Sequence, residues 1–121
     1  MLLRSELEKF QAEVAEWSQR NFPKNKPYHP LLGVSEEVGE LCHAFLKAEQ
    51  GIRGTPEEHF AASVDAVGDI VIYLTDFCSR NGISLADAIM TAWGEVRQRD
   101  WQNNKTSGKP LQTDLFGDPH D

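Results

Sequence analysis

Two clusters of acidic residues are the part of this sequence best suited to chemistry, and the first consists of Glu36, Glu37 and Glu40. Spacings of three and four residues place side chains on adjoining positions of a helix, where like charges repel one another. No lysine or arginine lies between Pro30 and Leu46 to offset this repulsion. A divalent cation such as Mg²⁺ would offset it, because Mg²⁺ prefers a few carboxylates together with water and phosphate oxygens. Taken alone, the cluster is equally compatible with an ordinary solvent-exposed acidic face.

The second cluster consists of Asp65 and Asp69, which are four residues apart in a helix predicted from Pro56 to Arg80. Apolar residues cover most of this helix: Phe60, Val64, Val67, Ile70, Val71, Ile72, Tyr73 and Leu74. A helix that is apolar nearly all round is expected to pack between other elements. A carboxylate on such a helix needs a cation, a metal ion or strong hydrogen-bond donors. A metal ion shared with the glutamates would satisfy both clusters, and a structural hydrogen bond to a neighbouring helix is the alternative for Asp69.

Four amphipathic helices are predicted to position these acids. Apolar residues at steps of three and four, together with glycine, proline and capping residues at the ends, predict helices over about residues 5–21, 30–50, 56–80 and 85–101. The predicted fold class is therefore all-α, a four-helix bundle in a single domain of residues 1–104, followed by a polar and flexible tail at 105–121. The third helix carries more apolar surface than a lone bundle can cover, which predicts a homodimer or homotetramer.

Composition excludes several classes of function. The 121 residues are 40% hydrophobic, which is enough for one core of ordinary size. A net charge of −7 and a pI near 5.0 argue against nonspecific nucleic-acid binding, which needs a basic surface. No apolar run approaches the roughly 18 residues of a membrane span, and the N-terminus lacks a secretory signal, so a cytoplasmic protein is predicted.

Basic residues gather where the fourth helix is predicted to end. Arg97, Arg99 and Lys105 lie in or just beyond its last turns. Cations stabilise the C-terminal end of a helix through its dipole, which is one explanation of their position. The other is a clamp for phosphate groups, because arginine offers planar, paired donors to phosphate oxygens.

The acid clusters carry a family resemblance. Glu36-Glu37-Val38-Gly39-Glu40-Leu41 and Val67-Gly68-Asp69-Ile70 resemble the E-E-x-x-E and E-x-x-D motifs of the MazG-like, all-α nucleoside triphosphate pyrophosphohydrolases. The similarity extends from about Tyr28 to Trp101. It implies an oligomeric helical bundle that binds a nucleoside triphosphate through Mg²⁺, with Mn²⁺ as an alternative ion. By position, Glu37, Glu40 and Asp69 match metal ligands, Glu36 matches the base that activates water, and Tyr73 matches a tyrosine that contacts the nucleotide.

One position departs from the motif: Ala66 stands where E-x-x-D has its glutamate, and an alanine cannot bind a metal ion. Asp65, its neighbour, is the candidate replacement. The resemblance implies cleavage of (d)NTP to (d)NMP and pyrophosphate, in a role of nucleotide-pool housecleaning. If the missing glutamate has abolished catalysis, the alternative is a non-catalytic module that binds nucleotides or another protein. Phosphoribosyl-ATP pyrophosphohydrolase, which shares this chemistry and fold, is a further alternative.

Overall fold

The computed structural model describes residues 4–110, 112–113 and 119–120, with side chains in the first of these ranges. The elements follow the order α1 (Arg4–Asn21), α2 (His29–Gln50), α3 (Pro56–Arg80), α4 (Leu85–Val96), β1 (Gln112–Thr113) and β2 (Pro119–His120). The chain divides into two compact units, Met1–Leu85 and Ala86–Asp121. Over the described residues, the all-α class with four helices is confirmed, with the addition of one pair of two-residue strands.

Helices α2 and α3 begin and end where the sequence predicts, because their terminal residues satisfy the backbone. Pro30 occupies the first turn of α2, and Gly51 closes that helix in the left-handed conformation with φ 69°. At the start of α3, Thr55 Oγ1 accepts a hydrogen bond from Glu58 N, and Glu58 Oε1 accepts one from Thr55 N, each at 3.1 Å. This is a complete capping box. Within the first unit, α3 packs mainly against α2 and also against α1.

The buried positions of the first unit are mostly small. Val14, Ala44, Ala66, Ser18 and Thr75 are all buried. The apolar stripe of α3 is different: it is exposed along its whole length in the single chain, at Phe60, Val64, Val67, Val71 and Leu74. The sequence predicts that this surface is covered, and within one chain it is not.

The second unit contains nearly all of α4 and the residues that follow it. The helix ends at Val96, about five residues before the predicted end near Trp101. The backbone tightens there, because Gln98 N and Arg99 N each bond to a carbonyl only three residues earlier. Asp100 then accepts hydrogen bonds from the backbone and side-chain nitrogens of Asn103, at 3.2 and 2.6 Å, which favours a turn over further helix.

The last residues of the second unit form the strand pair. Strands β1 and β2 pair antiparallel, with Gln112 opposite His120 and Thr113 opposite Pro119. Residues 111, 114–118 and 121, within the predicted tail, lie outside the described residues. The flexibility of that tail and the domain boundary at residue 104 remain predictions. No helix in the described part of the chain is long and apolar enough to cross a membrane.

Candidate active site

Helix α2 brings its three glutamates together as the spacing predicts. Each of Glu36, Glu37 and Glu40 offers a carboxylate oxygen, and these oxygens lie within 4.8 Å of one another. Glu36 and Glu40 are exposed, whereas Glu37 is only 9% exposed. The cluster therefore has one carboxylate set into the protein and two at the surface.

Glu37 is in an unfavourable environment for a carboxylate without a cation. Its Oε2 atom is buried and has no hydrogen-bond partner in the part of the chain that the structure describes. Burial is the largest cause that raises the pKa of Glu37 above its ordinary value of 4.5, and the charges of Glu40, Asp69, Glu36 and Asp65 raise it further. An unpaired buried acceptor beside other carboxylates is a site that a bound cation would stabilise.

The acids of α3 face the same region but do not join the cluster. Asp69 is half-buried, Asp65 is exposed, and both lie close enough for their charges to raise the pKa of Glu37. Among the described residues, neither belongs to the group of carboxylates that meet within 4.8 Å. Ala66 is 2% exposed on α3, so the position that departs from the motif is part of the packed interior.

A cavity of about 630 Å³ adjoins the acids. Glu36, Glu37 and Asp69 line it, so the carboxylates border a pocket that is partly open to solvent. The remaining lining comes from α1, the α1–α2 connection, the start of α2 and the second half of α3: Val14, Trp17, Phe22, Asn25, His29, Pro30, Leu32, Gly33, Ile72, Tyr73 and Asp76. A pocket of this size with aromatic and apolar walls and a few polar groups suits a small organic ligand.

Tyr73 forms part of the cavity wall against the backbone of α2. A Cβ atom placed on Gly33 would lie closer than 3.0 Å to three atoms of the Tyr73 ring, so the ring occupies the space that a side chain at this position would need. Burial raises the pKa of Tyr73 above 10.0, and so do the charges of Glu36, Glu37, Asp69 and Asp76, in decreasing order. The phenol is therefore protonated at neutral pH and is available as a hydrogen-bond donor.

His29 lies at the start of α2 with its ring held by the neighbouring loop. Its Nδ1 accepts a hydrogen bond from Lys26 N at 2.9 Å. A ring nitrogen that accepts from a backbone N–H carries no proton, so Nε2 is the protonated nitrogen in the neutral ring. Trp17 and Phe22 form an edge-to-face pair in the same lining, with ring centroids 5.7 Å apart.

Sequence reasoning missed several residues of this cavity. Asn25, Asp76 and Gly33 were not singled out, although a glycine inside a predicted helix is a signal of close approach. The predicted phosphate-binding residues Arg97, Arg99 and Lys105 are exposed and belong to the second unit. Their role stays a prediction.

Comparison with known proteins finds two similar sequences from rodents. The chain is 30% identical over 100 residues to dCTP pyrophosphatase 1 of Mus musculus, and equally to that of Rattus norvegicus. Each alignment covers 78% of this chain and 56% of the rodent protein, so the chain spans about half the length of these relatives. No family model matches the sequence.

A solved structure gives the fold. The MazG-like pyrophosphohydrolase of cyanophage S-2L, bound to dGDP and three catalytic Mn²⁺ ions per active site, aligns with a TM-score of 0.52. The alignment covers 99% of this chain and 92% of the phage chain, at 21% identity. This likeness shows that the chain has a MazG-like fold. The predicted resemblance is thereby confirmed for the fold, and the match of individual acidic residues to the family motifs stays a prediction.

Proposed function

We propose that this MazG-like chain is a hydrolase that cleaves (d)NTP to (d)NMP and pyrophosphate in the presence of a divalent cation. The observation that carries the proposal is the cluster of three carboxylates, one of them buried and unpaired, at the edge of a cavity with aromatic walls. The names of the rodent relatives and of the phage structure support the same chemistry. Housecleaning of the nucleotide pool is the role that we propose for it.

The donor set fits Mg²⁺ or Mn²⁺, because all the candidate ligands are carboxylates and the buried Oε2 of Glu37 needs a partner. Glu37, Glu40 and Asp69 would hold the ion, with Asp65 as a further ligand, directly or through water. When bound, the cation supplies positive charge that neutralises the triphosphate and polarises its phosphorus.

The residues of the chain have separate roles in the proposed reaction. Glu36 orients a water molecule and accepts its proton. The water oxygen then forms a bond to the α-phosphorus, and the bond from that phosphorus to the oxygen bridging the α- and β-phosphates breaks. Pyrophosphate leaves with the electron pair of the broken bond. Tyr73 donates a hydrogen bond to the nucleotide. The proposed phosphate contacts come from Arg97, Arg99 or Lys105 of the same or a neighbouring subunit.

The test is a panel of ribo- and deoxyribonucleoside triphosphates with Mg²⁺, with Mn²⁺ or with EDTA, with products separated by chromatography. We expect monophosphate and pyrophosphate with either cation and no turnover in EDTA. Glu37→Gln and Glu40→Gln should abolish turnover, whereas Glu49→Gln, an exposed position on the same helix, should not. Full activity in both of the first two variants would show that the assigned carboxylates are not the metal site.

A second candidate function is nucleotide binding without hydrolysis, and Ala66 is the observation that favours it. This position is buried and has no group that can bind a metal ion. Isothermal titration calorimetry with a triphosphate and Mg²⁺, run beside the product assay, separates the two functions. Binding without release of pyrophosphate would favour a binding module, and binding with release would favour the enzyme.

We also propose that the protein works as a homodimer or homotetramer. The exposed apolar stripe of α3, which begins at Phe60 with 72% of its surface accessible, is the surface that a second copy would cover. Light scattering coupled to size-exclusion chromatography should give a dimer or tetramer. Val67→Asp, which places a charge in the middle of the stripe, should shift the mass towards the monomer, and a monomeric unmodified protein would contradict this proposal.

A further inference from the structure

Arg80, whose side chain is largely buried, connects the C-terminal end of α3 with α1 and with the connection between α1 and α2. Arg80 Nε donates to Asp76 Oδ1 at 3.0 Å, and the two side chains are only 6% and 11% exposed. Its Nη1 donates to Asn25 O at 3.1 Å. Its Nη2 donates to Ser18 Oγ at 2.7 Å and to Phe22 O at 3.0 Å, with a longer contact of 3.4 Å to Ser18 O. A lysine could not make this set of contacts, because it lacks the planar, forked donors.

The partners of Arg80 are also parts of the cavity wall. Phe22, Asn25 and Asp76 line the cavity, and each is hydrogen-bonded directly to the guanidinium. Arg80 itself is not among the lining residues. The segment from Phe22 to Tyr28, between α1 and α2, has no regular secondary structure, so the geometry of this wall depends in part on such side-chain contacts.

We propose that Arg80 is a positioning residue for nucleotide recognition. Its guanidinium fixes the wall formed by residues 22–29 and thereby sets the affinity for the nucleoside part of the substrate, without touching the substrate. This inference rests on the proposed function, because it assigns the nucleoside to this part of the lining and the phosphates to the carboxylate cluster.

The first arm of the test is steady-state kinetics of Arg80→Lys with the best triphosphate of the panel. The lysine keeps a positive charge beside Asp76 but loses most of the carbonyl contacts. We expect KM to rise about tenfold, which corresponds to the loss of roughly one hydrogen bond to a charged group, with kcat essentially unchanged. Inhibition by pyrophosphate, which has no nucleoside, should be the same in both proteins. A purely structural role would lower the melting temperature and leave KM unchanged.

The second arm measures the wall directly by amide hydrogen exchange. In Arg80→Lys the amides of residues 22 and 24–26 should exchange faster, while those in the middle of α2 should not. If Arg80→Lys does not fold, Ser18→Ala replaces it, since this change removes only the 2.7 Å bond to the guanidinium. For Ser18→Ala we expect the same increase in KM and in amide exchange, but smaller than for Arg80→Lys.

Gln11→Ala is the matched control. Gln11 also links α1 to the end of α3 and to the residues that follow it, but it does not line the cavity. Its Nε2 donates to Ser79 Oγ and Ile83 O, and its Oε1 accepts a hydrogen bond from Leu85 N. The Gln11→Ala variant should have a lower melting temperature and an unchanged KM.

An unchanged KM in Arg80→Lys, an equal change in pyrophosphate inhibition, or unchanged exchange at residues 22 and 24–26 would each overturn the inference. If the unmodified protein releases no pyrophosphate, the proposed function has failed, and the dissociation constant of a nonhydrolysable triphosphate then takes the place of KM. The role of Arg80 and the proposed function fail together only if the protein binds no nucleotide.

Discussion

The contact between Gly33 and Tyr73 gives a prediction in which two effects of known size oppose each other. Replacing a glycine by alanine inside a helix normally stabilises the protein by about 0.5–1 kcal/mol, because the unfolded chain loses conformational freedom. At Gly33 the new methyl group would meet three atoms of the Tyr73 ring at less than 3.0 Å. Such overpacking typically costs about 1–3 kcal/mol. We therefore expect Gly33→Ala to be neutral to destabilising, by up to about 2 kcal/mol.

Gly39 supplies the control on the same helix. A Cβ atom there would meet no atom of the described residues outside its own helix turn within 4 Å, so Gly39→Ala should show the stabilising effect alone. The helix-propensity term cancels in the difference between the two variants, which should leave about 1–3 kcal/mol of overpacking. Urea denaturation of both variants measures this difference.

A double variant tests the cause. When Gly33→Ala is combined with Tyr73→Ala, the methyl group no longer meets a ring, and the penalty at Gly33 should disappear. Because Tyr73 lines the cavity, Gly33→Ala should also raise KM for the triphosphate. Equal stability of Gly33→Ala and Gly39→Ala, together with unchanged KM, would refute the inference that α2 seats the Tyr73 ring.

Three further predictions concern charge and capping. The pKa of Glu37 is raised above 4.5 in the folded protein. Glu37 therefore stabilises the folded state at pH values below its unfolded-state pKa, and this stabilisation is lost as the pH rises through the folded-state pKa. In EDTA at neutral pH, Glu37→Gln should therefore melt at a higher temperature than the unmodified protein, and the difference in melting temperature should be smaller below pH 4.5. The variant should also lose the stabilisation by Mn²⁺. A melting temperature in EDTA below that of the unmodified protein would contradict this prediction. The variant Tyr28→Phe leaves Tyr73 as the only tyrosine of the sequence. Its ultraviolet titration should give a midpoint above pH 10.0. A midpoint at or below pH 10.0 would show that the Tyr73 ring is neither buried nor near the carboxylates. Thr55→Ala should lower the free energy of unfolding by about 1 kcal/mol through loss of the α3 cap, measured by urea denaturation, and no loss would mean that the cap is not formed.

The features that could be predicted from the sequence are those fixed by local geometry. Helix α3 begins and ends as predicted because Thr55 and Glu58 cap one end and the residues at 81 and 82 favour a turn at the other. The proximity of Glu36, Glu37 and Glu40 also follows from helical spacing alone.

The features that depend on packing could not be predicted in the same way. Helical periodicity continues past Val96, but hydrogen bonds between Asp100 and Asn103 compete with the helix, and the helix ends early. Asn25 and Asp76 line the cavity because of the way α1 and the connection between α1 and α2 pack against α3. No pattern within one helix specifies this packing. Asp65 is predicted on a largely buried helix but is exposed in the single chain.

The central claim is that the acid cluster catalyses release of pyrophosphate although Ala66 replaces one acidic residue of the motif. Phosphorus NMR of a triphosphate incubated with the protein and Mn²⁺ tests it most directly, because the spectrum identifies both products. We expect signals of the nucleoside monophosphate and pyrophosphate, and we expect both to be absent in EDTA and in Glu37→Gln. Signals of the diphosphate and inorganic phosphate, or an unchanged triphosphate across the whole panel, would contradict it.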